Sequence, residues 1–135
     1  MEAEQRAALE PVDVESFLSA DLASETLPVS PPPVSESLGG SLPTAMVERN
    51  GGVRLNRVAD QHDCTFSVWG ATWASAMDAA NALAGSVARL PDRADTKTQW
   101  RSVEISALPF NARDATHPDI PRVQFTASVI CRTTT

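Results

Sequence analysis

Asp63-Cys-Thr-Phe-Ser-Val-Trp-Gly-Ala-Thr-Trp-Ala-Ser-Ala-Met-Asp-Ala-Ala80 changes its hydrophobic period halfway along, and that change decides the fold. Up to Trp69 the residues alternate. Cys64, Phe66 and Val68 point one way and Thr65, Ser67 and Trp69 the other, which is the period of a strand with one buried face. Gly70 ends the strand. Thr72 offers an N-cap hydroxyl. From there Trp73, Met77, Ala80, Ala84 and Val87 step by helical spacings along one apolar stripe, up to about Leu90. Alanines at 74, 76, 79, 80, 82, 84 and 88 allow this helix to lie close on a sheet, and Pro91 stops it.

Downstream, Gln99 to Leu108 reads as a strand with Val103, Ile105 and Ala107 on one face, ended by Pro109. Residues 109–121, with Pro118 and Pro121, read as a loop. Arg122 to Arg132 is the clearest strand. Val123, Phe125, Ala127, Val129 and Cys131 share its inner face, and Ile130 interrupts an otherwise polar outer one.

Upstream, Thr44 to Arg49 reads as a strand and Asn50-Gly51-Gly52 as a turn, because these residues tolerate positive φ. Residues 50–61 are then a loop, with a returning strand as the other possibility. Residues 28–43 hold five prolines and two glycines and read as a long exposed loop, with Val29 available for a short edge strand. Asp13 caps a first helix carrying Val14, Phe17, Leu18 and Leu22, expected to end near Ser24. Residues 1–10 are expected to be frayed. The order predicts a two-layer α+β fold: a single domain over 1–135, with about four mainly antiparallel strands and two helices packed on one face.

The chain has 135 residues, 42% of them hydrophobic, enough for a real core. No apolar run approaches a membrane span. The start, Met1-Glu-Ala-Glu-Gln-Arg6, has no signal-peptide pattern, so an origin in a cytosol or in an assembly built there is expected, and no membrane partner. The formal charge of −6 is uneven: residues 1–36 carry eight acids and one base, residues 37–135 nine acids and ten bases. No basic stripe marks a nucleic-acid footprint.

The chemistry-bearing residues are sparse. His62-Asp63-Cys64 lie in a row, but a cysteine nucleophile and its base usually meet through the fold rather than at i and i+2 of one strand. Cys64 is expected to be buried and His62 to face solvent. His62, His117, Cys64 and Cys131 have no metal-ligand spacing, and there is no phosphate-cradling loop. No catalytic residue, cofactor or metal is therefore assigned. Trp73 lies on the helix stripe and reads as core. Trp69 and Trp100 read equally well as interface anchors or as rings partly buried under a loop.

Three segments carry a resemblance when taken in order: Met46-Val-Glu-Arg-Asn-Gly-Gly52, Phe66-Ser-Val-Trp-Gly-Ala-Thr72 with Ala76, and Ile120-Pro-Arg-Val-Gln-Phe125. Preceded by an acidic helix and a Pro-rich stretch, they resemble the tail terminator family of long non-contractile-tailed phages, especially those of actinobacterial hosts. The resemblance implies a structural virion protein of the neck, without catalysis or cofactor. It implies a homo-hexameric ring that caps the tail tube, meets the head connector or head-closure protein, and lets viral DNA pass without specific binding. Arg49, Asn50, Gly51, Gly52, Arg54, Arg57, Phe110, Asn111 and Arg122 are the candidate interface residues. A head-closure or other neck protein is the nearest alternative. A small α+β enzyme or ligand-binding domain is the alternative from another class.

Overall fold

The computed structural model describes residues 10–25, 27–32 and 42–133. Its elements are α1 (Val14–Asp21), β1 (Val29–Ser30), β2 (Thr44–Asn56), β3 (Ala59–Trp69), α2 (Trp73–Ala88), a 3-10 turn (Leu90–Asp92), β4 (Trp100–Asn111) and β5 (Arg122–Arg132). The fold is α+β, as its periodicities predict, with one mixed sheet in the order β1-β2-β3-β5-β4. The strand beyond the expected four is β1, whose Val29 and Ser30 pair in parallel with Ala45 and Met46. All other pairings are antiparallel. The segment expected to fray lies outside the described residues except for Glu10, as do residues 33–41 of the Pro-rich stretch.

Local chemistry sets the helix ends. The Asp13 carboxylate accepts from Ser16 N, and Thr72 and Ser75 form a reciprocal capping box. The first helix stops at Asp21, short of Ser24, because Ala23 N and Glu25 N bond three residues back to Ala20 O and Leu22 O. These tighter turns end the α-helical ladder.

Both helices cover the same sheet face. Val14, Leu18 and Leu22 of α1 and Ala76, Ala80, Leu83 and Val87 of α2 meet Val47, Phe66, Val68, Val123, Phe125 and Val129 in one buried cluster. Small side chains bring α2 close: a Cβ at Gly70 would sit 2.7 Å from Ala76 N. The inward stripe runs through Ala76 and Leu83 rather than through Trp73. Trp73 is therefore 37% exposed, not core. Met77 is half-buried against the cluster.

The β2–β3 connection departs most from expectation. Asn50-Gly51-Gly52 is not a turn, and residues 50–61 are not a loop. β2 runs on to Asn56 and β3 starts at Ala59, so the chain reverses at Arg57 and Val58. The glycines serve a bulge inside β2, where Arg49 faces Cys64 and Gly51 faces Asp63, leaving Asn50 as the extra residue. Gly51 and Gly52 have φ of 142° and 149°. A Cβ on Gly52 would also meet Gln61 O at 2.0 Å, whereas one on Gly51 meets nothing within 4 Å. Gly51→Ala should thus cost only conformational strain, about 1–3 kcal/mol. Gly52→Ala should cost more and unzip the arm. Amide exchange at Val53 to Asn56 checks this, and equal protection in both variants would refute it.

β4 likewise runs through Pro109 to Asn111, so the following loop is 112–121 rather than 109–121. An edge strand tolerates a residue with no N–H. The register shifts between Ile105 and Ala107, and again before Phe110, absorb the distortion.

Candidate interface surfaces

Among the described residues, the sheet face away from the helices has no helical layer on it. Its side chains bond mainly to one another: Ser128 Oγ donates to Asp63 at 2.8 Å, Gln124 Nε2 to Ser67 Oγ at 2.9 Å, and the Ser106 and Thr126 hydroxyls pair at 2.7 Å. Thr65 donates to Asn50 Oδ1. From Met46 and Glu48 across Asp63, Thr65 and Thr126 to Glu104, the outward positions carry three carboxylates and no cation.

The segment 112–121 folds over one end of that face and buries Trp69 against Met46 and Ile120. Trp69 Nε1 donates to Asp114 at 3.1 Å, and Thr116 N and His117 Nδ1 converge on the same carboxylate. Burial alone would raise the Asp114 pKa. Those donors and the nearby Arg122 charge outweigh it and hold the carboxyl below its ordinary range. Arg122, predicted as an interface residue, spends its guanidinium on the carbonyls of Ala112 (2.7 Å) and Arg113 (3.2 Å). Phe110 (44% exposed) and exposed Asn111 stand beside this loop, and so does Leu108, the most exposed large apolar residue at 77%.

The other predicted residues gather on the β2–β3 hairpin. Arg54 makes a two-pronged ion pair with Asp60, at 2.7 and 3.0 Å. Arg49 N donates to the Glu15 carboxylate at 2.9 Å, linking the bulge to α1. The turn is fastened by Thr133, whose N donates to Val58 O at 3.0 Å and whose hydroxyl donates to Arg57 O at 3.2 Å. Val53, Leu55 and Val58 are 56%, 48% and 42% exposed here. The nine candidates therefore split between two places: Arg49, Asn50, Gly51, Gly52, Arg54 and Arg57 on the hairpin, and Phe110, Asn111 and Arg122 around the loop. The exposed aliphatics beside both groups escaped the sequence reading, because their alternation looks like that of core positions.

His62 is buried, not solvent-facing. It lies on the helix side of β3 under the start of α1, beside Arg49, whose Nη1 is 3.5 Å from His62 Nδ1. Its Nε2 has no hydrogen-bond partner among the described residues. Burial, then the Arg49 charge, lowers its pKa, with Asp60 and Asp63 opposing weakly. The unfolded chain therefore takes up a proton that the folded state resists. The stability held above about pH 6.5 is lost as pH falls from there toward the lower folded value. His62→Gln should flatten the pH dependence of the melting temperature between pH 7.5 and 5. An unchanged slope would refute this.

Cys64 and Cys131 are free and buried. Burial pushes their thiols up to about 12 and about 11, so both stay protonated at neutral pH. Among the described residues no cluster of His, Cys, Asp or Glu could hold a metal ion, and no helix is long and apolar enough to cross a membrane. No protein-family model matches the chain, and no curated protein matches it significantly.

Proposed function

We propose that the chain is a ring-forming structural protein of the neck of a long-tailed phage, acting as a tail terminator. In this reading the sheet face without helices lines the channel. The observation that carries the proposal is that face: polar, internally bonded and without a cation in its centre. Clustered lysines and arginines would hold phosphates. Hydroxyls and amides that already bond one another, with Glu48, Asp63 and Glu104 among them, let DNA pass.

The exposed apolar residues support an axial joint. Val53, Leu55 and Val58 lie at the hairpin end of the strands. Leu42, Trp73 and Phe110 lie toward the other end, beyond or beside Trp69. A ring placed between a tail tube and a head connector needs an adhesive surface at each end. Ring neighbours would then meet sideways through two different patches, as any closed head-to-tail contact requires. The edge strand β4 and β2, whose outer side β1 covers only at Ala45 and Met46, are both bulged, which blunts open-ended sheet pairing and leaves side chains to make the contact.

The test is cryo-electron microscopy of the native particle with antibody labelling of this chain. A ring of repeated copies at the neck is expected. One copy per particle, or label away from the neck, would overturn the reading.

A further inference from the structure

The hairpin end carries a surface that no contact among the described residues explains. Val12, Phe17 and Ala20 wall a groove of about 490 Å³, with Lys97 and Arg132 lining it and Thr133 between it and the hairpin turn. Phe17 is 37% exposed although its neighbour Leu18 is fully buried. Thr133 holds the turn, so Arg57 and the exposed Val58 lie next to the groove.

The cations here are available. Among the described residues Arg57, Lys97 and Arg132 have no ion pair, whereas Arg54 and Arg93 do. The frame beneath them is stiff. The buried Asp21 carboxylate accepts from Lys97 N at 2.7 Å, Thr98 N at 3.1 Å and Trp100 Nε1 at 2.8 Å. Those bonds pin the backbone that carries Lys97.

We infer that this end docks an acidic protein segment, which sets an aliphatic or aromatic side chain into the groove and its carboxylates against Lys97, Arg132 and Arg57. Charge selects the sign of the partner. A concave recess selects a projecting side chain over a flat lipid surface. Exposed Phe17 and Val58 at the contact favour protein over nucleic acid, whose grip comes from phosphates. Little is spent on ordering, because the surface is already held. The inference stands apart from the ring and the channel, since it needs only the groove and its cations.

The test uses the full chain and a short fluorescein-labelled peptide alternating glutamate with leucine and tryptophan, read by anisotropy. Saturable binding is expected for this peptide and not for its lysine counterpart. Lys97→Glu combined with Arg132→Glu should weaken it about tenfold, the effect of losing two surface attractions and adding two repulsions. Phe17→Ser should weaken it as well, and Glu104→Gln on the far face should not. If the double variant does not fold, Lys97→Gln at its exposed position is read instead, with a smaller loss expected. No saturable binding at millimolar peptide, equal binding of the lysine peptide, or insensitivity to the groove substitutions would overturn the inference. So would preferential binding of a short DNA duplex or of phosphatidylglycerol vesicles.

Discussion

Phe125→Ala is expected to lower unfolding free energy by about 3–5 kcal/mol, the range for truncating a fully buried aromatic. Phe125 has no exposed surface and lies directly across from Phe66 in the β3–β5 register. The rings are parallel within 5°, with centroids 4.8 Å apart. Both sit under the helices in the cluster that also holds Val47, Leu18 and Leu83. Truncation therefore removes one partner of a stacked pair and leaves a void that strands on either side cannot close without breaking their ladders. Aromatic pairing adds about 0.5–1.5 kcal/mol to simple area burial. The melting temperature should fall by roughly 10 °C or more for a chain of this size, and urea denaturation should show a lower midpoint with an unchanged slope. An unaltered melting curve would mean that the two strands do not share an inner face.

That inner face was legible from the alternation in Asp63–Trp69 and Arg122–Arg132, because a period of two with bulky residues on one side has few other meanings. So was α2, from its stripe and its Thr72 cap. What escaped were places where one residue type serves two backbone roles. Glycine pairs suit tight turns and bulges alike, and only the register across β3 shows that Gly51 and Gly52 follow a bulge at Asn50. A helical stripe also leaves open which of two adjacent lines faces in. Ala76 and Leu83 won over Trp73 because the close approach at Gly70 excludes an indole there.

The positions of the candidate interface residues were half legible for a similar reason. Arg54, Arg57, Phe110 and Asn111 do lie on two projecting regions. Arg122 is spent on its own loop, and His62 is buried in a recess that it shares with Pro11, a residue far away in sequence. Long-range cover of this kind leaves no local periodic mark. The burial of Asp21 leaves no local mark either. Its three donors come from residues 97, 98 and 100, which no pattern within α1 announces.

Making basic the face proposed to line the channel should have the largest effect on function. Glu48 and Glu104 are exposed, take part in no side-chain hydrogen bond among the described residues, and lie on the face without helices, opposite Thr65 and Ser128. Glu48→Arg with Glu104→Arg should therefore leave the melting curve nearly unchanged, as surface substitutions usually do. If six copies surround DNA, the double variant places about twelve new cations along the lumen. Each phosphate neutralised steepens the fall of log affinity with log salt by about 0.9, so even a handful of engaged phosphates shifts affinity by orders of magnitude between low and moderate salt. Assembled rings of the parent chain are expected to show no salt-sensitive DNA binding. Rings of the double variant should bind duplex DNA at low salt and release it steeply as salt rises, and virions built with them should eject DNA more slowly. Tight, salt-sensitive binding by the parent ring would mean that a cationic surface, not this face, lines the channel. Rings of the double variant that ignored DNA at low salt would place the face on the outside of the assembly.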